Sequence, residues 1–298
     1  MKSKDTFSSY HPVINFLYFV LVLVFSMCFL HPVCLGITLI GSLWYSLNLN
    51  GTKGAKFALK YMLPLFIIAV IFNPTFNHGG VTILTYLPSG NPLTLESIIY
   101  GAAMASMITA VIIWFTCYSE VMTSDKFIYL FGKVIPALSL IISMTLRFIP
   151  KFKDQMNVVI ESQRSLGRSM EEKGLIKKIK RVITVISIMI TWSLENAVET
   201  AASMNSRGYG LPGRTAFSIY RFDKRDIKAL IWLIISATVV CIGWIKGEFY
   251  SVYMPSITFT FSSKFSFIYF VMYFALCLTP VIINTVEDIK WKRIKSEI

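Results

Sequence analysis

Long apolar runs separated by polar connections dominate the chain. A transmembrane helix needs about 20 apolar residues, with a range of about 17 to 25. None of the runs alternates as a barrel strand would, and backbone polar groups must be paired inside a bilayer, which favours helices. The pattern therefore predicts an all-α integral membrane protein with about six transmembrane helices, the third being the shortest. The predicted spans are residues 13–30, 32–47, 59–72, 95–118, 227–245 and 265–283.

A long interval of mixed polarity, residues 119–226, separates the fourth span from the fifth. Proline is tolerated in a first helical turn but breaks a helix interior, so Pro136 and Pro150 each predict a new helix. Gly167 and Gly208 are predicted to end helices, because glycine readily adopts the left-handed cap conformation. The helices predicted for this interval cover residues 136–148, 150–166 and 175–206.

Composition and charge indicate a membrane protein and not a nucleic-acid-binding one. The 298 residues are 55% hydrophobic and 15% charged, whereas soluble domains have about 25% charged residues. The net charge is +13, and 18 of the 29 basic residues lie between residues 119 and 228. Such an excess is typical of cytoplasmic segments beside an anionic leaflet, so we expect a lipid bilayer and no nucleic acid as partner.

The basic residues also predict the orientation in the cell membrane. The connection 73–94 contains no lysine or arginine and is predicted to lie outside, whereas both termini are predicted to be cytoplasmic. Within that connection, β-prone residues 81–87 lie between glycine turns and favour either a small hairpin or an extended cap. An alternative treats residues 134–149 as a seventh span, but that segment is short, contains Arg147 and would move the basic tail outside.

Three regions follow from this orientation. We interpret residues 134–149 as part of a helix at the cytoplasmic face, inside a region of coupling helices. The three predicted regions are N-terminal membrane helices at 1–118, about four spans; the cytoplasmic coupling-helix region at 119–226; and C-terminal membrane helices with a basic tail at 227–298, about two spans.

The sequence contains no pattern typical of a metal or catalytic site. All five cysteines lie in apolar runs without C-x-x-C spacing, which is typical of small core residues. The three histidines are far apart and have no nearby acid, so we expect no metal, no cofactor and no catalytic residue. The residues considered are Cys28, Cys34, Cys117, Cys241, Cys277, His11, His31 and His78.

The most informative polar segment follows the third helix of the interval, at Ser206, Arg207 and Gly208. A cation in the last helical turn is favoured by the helix dipole. A guanidinium at the tip of a rigid helix also suits a carboxylate on a partner protein. Upstream, small residues at every fourth position favour close helix packing, either of the ordinary kind or as a crossing of two long helices that move together. These small residues are Ser193, Ala197 and Ala201.

Four stretches, in order along residues 90–226, carry a resemblance to a known family. They are residues 92–96 with Tyr100-Gly101, residues 146–150, residues 163–167 and residues 204–210. Together they resemble the transmembrane T component of energy-coupling factor (ECF) transporters, the CbiQ/EcfT family. The last stretch is similar to that family's second Ala-Arg-Gly signature. Where the first signature is expected, this chain has Ser165-Leu166-Gly167, with leucine in place of the central arginine. This departure leaves three alternatives for the contact at the first signature: it is weakened, it moves to Arg164 or Arg168, or it is made by packing.

The resemblance implies a subunit without catalytic residues of its own. In that family the T component joins two cytoplasmic ABC-type ATPases to a substrate-binding S component, which delivers a vitamin or a metal ion. Long crossed coupling helices end at the two signatures, which dock on the ATPases. Carried over to this chain, the implied docking residues are Ser206, Arg207 and Gly208 at the second signature, and Arg164, Ser165, Leu166, Gly167 and Arg168 at the first, with Ser193, Ala197 and Ala201 at the helix crossing.

Two other classes of protein are considered. A self-sufficient secondary transporter requires ionisable or glycine-broken positions at mid-span, and the spans hold nearly none. A membrane-embedded lipid-modifying enzyme requires acidic metal ligands or an interfacial histidine, and neither is evident. Gly208, Gly210 and Gly213 match a dinucleotide fingerprint, but they follow a helix where that fingerprint follows a strand. No G-x-x-x-x-G-K-[ST] phosphate loop occurs, so ATP hydrolysis is expected only in partner subunits.

Overall fold

The computed structural model describes residues 5–86, 90–132, 136–167, 175–209, 211, 220–259 and 266–296. The chain forms two compact units. The first unit comprises Met1–Phe127 and Tyr220–Ile298, and the second comprises Ile128–Ile219. Both predicted membrane regions, 1–118 and 227–298, thus lie within the first unit.

Helices form nearly all of the described secondary structure, which confirms the predicted all-α membrane fold. All six predicted apolar runs are helical, and the third is divided by a π-helical turn at Ala58–Met62. The helices are α1 Pro12–Cys28, α2 Pro32–Asn50, α3 Thr52–Phe57, α4 Leu63–Phe76, α5 Leu95–Val121, α6 Ser124–Gly132, α7 Pro136–Ser165, α8 Leu175–Ser206, α9 Lys224–Ile245 and α10 Ser266–Ser296.

Five of the described helices are long and apolar enough to cross a membrane. They include α2, α5, α9 and most of α10, and also Lys178–Ser206 of α8, which lies in the interval predicted to be cytoplasmic. By contrast α1, with 17 residues, and the segment Lys60–Phe76 are shorter apolar helices. Length and composition thus support a multi-pass protein, while the count of six spans stays a prediction.

The first two helices begin with the same tripeptide, His-Pro-Val. Pro12 and Pro32 occupy the first helical position, where a missing N–H costs nothing. The imidazole Nδ1 atoms of His11 and His31 accept hydrogen bonds from Val13 and Val33 N–H, at 3.3 and 3.4 Å. Each histidine is therefore an N-cap that accepts one of the unpaired donors of its helix.

Aromatic side chains fill the core of the first unit. Trp114 on α5 is fully buried and packs edge-on against Tyr18 and Phe19 of α1. Two polar contacts add to this packing and join α10 to the N-terminal helices. The Tyr18 hydroxyl donates to the Cys277 carbonyl at 3.0 Å, and the Thr38 and Tyr273 hydroxyls lie 2.7 Å apart. The hydroxyl groups of Tyr18, Thr38 and Tyr273 are thus paired, as a low-dielectric interior favours.

A hydrogen-bonded cluster attaches the segment before α1 to α10. The Asn284 side-chain oxygen accepts from the backbone N–H groups of Thr6 and Phe7, at 3.0 and 3.1 Å. Its amide nitrogen donates to Asp5 Oδ1 at 2.5 Å. Nearby, Lys126 Nζ donates to the Ser8 carbonyl, and burial lowers the pKa of this ammonium while Asp5 opposes that change. The two ends of the chain therefore fold as one unit.

The predicted hairpin between α4 and α5 is present. Strands β1 Ile83–Tyr86 and β2 Pro92–Thr94 pair antiparallel. Glu96, in the first turn of α5, accepts from the Thr82 hydroxyl at 2.8 Å and so holds the hairpin against that helix. A second small pair, β3 Ser251–Val252 with β4 Thr258–Phe259, follows α9 and was not predicted.

The second unit contains α7 and α8. Helix α8 has the predicted bounds, Leu175–Ser206. The prediction of two helices over 136–148 and 150–166 is wrong, because α7 runs unbroken from Pro136 to Ser165 with Pro150 inside it. An interior proline costs about 3 kcal/mol. Immediately after Pro150, however, Lys151 and Phe152 of α7 contact Asn196 and Trp192 of α8, and these contacts offset that cost.

Candidate functional site

The C-terminal end of α8 has a complete capping motif around Gly208. Gly208 has φ +75°, in the left-handed region that favours glycine. Its N–H donates to the Asn205 carbonyl at 3.0 Å, and the Tyr209 N–H donates to the Met204 carbonyl at 3.1 Å. These two bonds define a Schellman motif, in which the last carbonyls of the helix are satisfied. Arg207 is thus the final residue before a rigid stop.

The C-terminal end of α7 has the same glycine cap. Gly167 has φ +74°, and its N–H donates to the Arg164 carbonyl at 3.0 Å. Ser165 Oγ donates to the carbonyl four residues earlier at 3.1 Å, as Ser206 Oγ does in α8 at 3.0 Å. Ser165-Leu166-Gly167 and Ser206-Arg207-Gly208 are therefore equivalent helix ends. Arg168, the last residue implied for the first end, lies outside the described residues.

The two ends differ in the side chain that they present. Leu166 occupies the position equivalent to Arg207 and is 68% exposed. Arg164 is exposed in the last turn of α7, two residues before Leu166. Neither Arg207 nor Arg164 forms a side-chain hydrogen bond or ion pair with another residue in the part of the chain that the structure describes. One end thus offers a guanidinium, and the other an aliphatic side chain with a guanidinium beside it.

A mixed polar and aromatic contact joins α7 to α8. Lys151 Nζ donates to Asn196 Oδ1 at 2.8 Å and lies 5.4 Å from the centre of the Trp192 ring. The Phe152 and Trp192 rings meet edge to face, with centroids 5.3 Å apart. Such aromatic and cation–π contacts each contribute about 0.5 to 1.5 kcal/mol. The helices are therefore held together near the middle of each.

A groove between the two helices shows that they run in opposite directions. It has a volume of about 520 Å³ and is lined by α7 residues from Leu140 to Lys151 and by α8 residues from Asn196 onward, including Arg207. Because Lys151 contacts Asn196, the groove extends from this contact toward the N-terminal end of α7 and the C-terminal end of α8. Decreasing residue numbers on α7 thus face increasing numbers on α8. With a rise of 1.5 Å per residue, Leu166 and Arg207 lie at opposite ends of the pair, up to roughly 40 Å apart.

The charge of this groove favours an anionic partner. Arg147, Lys151 and Arg207 line it with three cations, and Glu199 contributes one carboxylate. No pattern in the sequence joined Arg147 to Arg207, which are 60 positions apart, although Arg147 lies in one of the four family-like stretches. A cationic groove ending at Arg207 can hold carboxylates of a partner protein. It contains no serine, histidine and acid arrangement that would support covalent catalysis.

The predicted crossing residues lie beside the α7 contact. Ser193 is half-buried, whereas Ala197 and Ala201 are exposed. The contact with α7 uses Trp192 and Asn196, on another face of α8. Ala197 and Ala201 instead belong to a face with exposed aliphatic side chains, so their role in a helix crossing stays a prediction. The most exposed members of this face include Ile183, Ile190, Leu194 and Val198.

No group of three or more histidine, cysteine or acidic side chains that could hold a metal ion occurs among the described residues. Of the three histidines, His11 and His31 are helix caps, and His78 Nε2 lies 3.1 Å from the Asn91 amide nitrogen.

Comparisons with known proteins support the same resemblance. The family model CbiQ, described as cobalt transport protein, matches residues 6–219. The energy-coupling factor transporter transmembrane protein EcfT of Lactobacillus helveticus is 33% identical over 107 residues, covering 36% of this chain and 39% of that protein. EcfT of Lactococcus lactis subsp. cremoris is 36% identical over 110 residues, covering 37% and 41%. EcfT of Macrococcus caseolyticus is 27% identical over 234 residues, covering 74% and 86%. This chain thus matches about two fifths of the length of the first two relatives.

Proposed function

Because this chain belongs to the CbiQ family of cobalt transport proteins, we propose that it is the transmembrane energy-coupling subunit of an ECF-type importer. In this role it links two cytoplasmic ABC-type ATPases to a substrate-binding S component, which takes up a vitamin or a metal ion. The subunit is not an enzyme, and ATP is hydrolysed by its partners. It lies in the cell membrane as a multi-pass protein with both termini in the cytoplasm.

The observation that carries this proposal is the pair of equivalent helix ends. Two long helices that run in opposite directions each end in a glycine-capped tripeptide, Ser165-Leu166-Gly167 and Ser206-Arg207-Gly208. Two such helix ends, on a pair of helices that contact each other, suit two related partner subunits. Arg207 docks through a carboxylate on one ATPase, because its planar guanidinium matches a carboxylate bidentately. Leu166 docks by apolar packing on the other ATPase, with Arg164 beside it.

The coupling mechanism follows from the joint between α7 and α8. When the ATPases move together and apart, both tips are displaced, and the Lys151, Phe152 and Trp192 contact transmits the displacement to the whole pair. The exposed aliphatic face of α8 then carries the movement to the S component. Coupling of this kind requires a partner with discrete states, which nucleotide-bound and nucleotide-free ATPases provide.

Affinity purification from native membranes tests the proposed assembly. We expect the tagged chain to bring down two ATPase chains and at least one small membrane protein in fixed proportion, as measured by mass spectrometry of the eluted complex. Purification of a tagged, unrelated multi-pass protein from the same membranes is the control. Recovery of the chain alone, together with solute transport by the chain alone in proteoliposomes, would contradict the proposal.

Ala197→Leu tests the role of the exposed face of α8. Ala197 is a small residue among exposed aliphatic side chains, so a larger side chain there should hold the S component away. We expect uptake of the substrate of the co-purified S component to fall at least about fivefold, at an unchanged amount of protein in the membrane. Ala202→Leu, on the same helix about 140° further round, is the matched control. Equal uptake by Ala197→Leu and the unmodified protein would rule out this role.

A further inference from the structure

A second cavity, in the first unit, lies between the N-terminal turns of α9 and the C-terminal half of α10. It has a volume of about 630 Å³. Four basic side chains line its polar part, at Lys224, Arg225, Lys228 and Lys290, together with one acid, Glu287. The rest of the wall is largely apolar and includes Trp232 and Ile282. The proposed function uses none of these residues.

Two of the four cations have no counter-ion among the described residues. Arg225 lies 4.0 Å from Asp223 and donates to the Ser9 carbonyl at 3.1 Å, and Lys290 lies 3.7 Å from Glu287. In the part of the chain that the structure describes, Lys224 and Lys228 form neither an ion pair nor a side-chain hydrogen bond. They are one turn apart on the same helix, where like charges repel, and they lie in its first turns, where the dipole disfavours cations. An anion between them would relieve both effects.

The apolar part of the cavity adjoins this cationic part. Trp232 lies one turn after Lys228, and its indole N–H donates to the Thr279 hydroxyl at 3.1 Å, which joins α9 to α10 beside the cavity. Tyr10 is also in the lining, under the Arg225 guanidinium at 5.0 Å. Tryptophan and tyrosine are typical of the membrane–water interface. Both helices are long and apolar enough to span a membrane, so we expect the apolar wall of the cavity to lie at the depth of the acyl chains.

We propose that this cavity binds one anionic phospholipid, with its phosphate between Lys224, Lys228 and Lys290 and an acyl chain along Trp232 and Ile282. Basic pockets between transmembrane helices recognise anionic headgroups in this way. A soluble phosphate would leave the apolar wall uncovered. A zwitterionic phospholipid would bring its own cation, beside its phosphate, into a cavity that four basic side chains already line, whereas an anionic phospholipid would not. This inference does not depend on the ATPase docking proposed above.

Native mass spectrometry of the full-length protein in detergent tests the lipid site. With dioleoyl-phosphatidylglycerol, we expect one lipid to be retained, and with dioleoyl-phosphatidylcholine, none. The triple variant K224Q/K228Q/K290Q should lower the affinity for phosphatidylglycerol by roughly tenfold or more. The matched variant K53Q/K56Q/K60Q, which removes three lysines of another basic segment, should leave it unchanged. Equal loss in the two triple variants, or equal retention of both lipids, would overturn the proposal.

Two further measurements locate the lipid and separate it from a free phosphate. Brominated phosphatidylglycerol should quench tryptophan fluorescence more than brominated phosphatidylcholine, and Trp232→Phe should remove that excess. An excess that persists in Trp232→Phe would place the lipid elsewhere and contradict the site. Glycerol 3-phosphate should not displace the bound lipid at concentrations where phosphatidylglycerol does. Displacement by glycerol 3-phosphate would identify a soluble phosphate site and contradict a lipid site.

Discussion

Arg207→Glu is expected to abolish co-purification of the ATPase pair while the protein still inserts into the membrane and folds. The residue is exposed after the last turn of α8, its side chain has no partner among the described residues, and its backbone is fixed by the Gly208 cap. Replacing the cation by an anion both removes the docking bond and repels the partner carboxylate. Charged anchors of this kind contribute about 2 kcal/mol or more, which corresponds to an affinity loss of at least about 30-fold.

The measurement is recovery of the ATPases with the tagged chain, at equal amounts of chain in the membrane. Arg293→Glu, a charge reversal in the last turn of α10, is the matched control and should retain the ATPases. A melting curve of the purified variant verifies that the fold is intact. Full recovery of the ATPases with Arg207→Glu would rule out docking through this guanidinium.

Trp192→Ala is expected to leave the ATPases bound and to abolish uptake. Trp192 contacts both Lys151 and Phe152, so its removal deletes the cation–π and edge-to-face contacts that join the helices after Pro150. The loss is about 2 to 3 kcal/mol at a half-buried position. The two tips would then move independently, and the movement would no longer reach the rest of the pair.

Uptake and co-purification must be measured together on this variant. We expect uptake to fall at least tenfold with the ATPases still recovered, the reverse of a docking defect. Trp291→Ala removes an equally large side chain from an exposed position of α10 and should change neither. Normal uptake by Trp192→Ala would show that the helices need not move as one body.

The helix ends were the most predictable part of the candidate site. A helix that ends in a left-handed residue favours glycine at that position, whatever the rest of the fold, so the sequence alone predicted that Gly167 and Gly208 end helices. The predicted last residue of α8, Ser206, is confirmed. The hairpin before α5 was predictable for the same reason, because its turns are set by neighbouring residues.

Features that depend on contacts distant in sequence were not predictable. Pro150 was expected to end a helix, and only the contact of Lys151 and Phe152 with α8 explains why α7 continues. Arg147 and Arg207 meet in one groove because the helices run in opposite directions, which no spacing within either helix indicates. The histidine caps were missed because histidine is not among the usual N-cap residues.

The length of α8 between its contact with α7 and its glycine cap sets the direction in which the docking side chain points around the helix axis. Eleven positions separate Asn196, in the contact between the helices, from Arg207 at the tip. One residue added or removed between them would turn the guanidinium by about 100° and shift it by about 1.5 Å. The guanidinium would be chemically unchanged, yet it would point away from the carboxylate proposed as its partner. We therefore expect insertions and deletions between Asn196 and Arg207 to impair docking, whereas substitutions within this segment are tolerated far more freely.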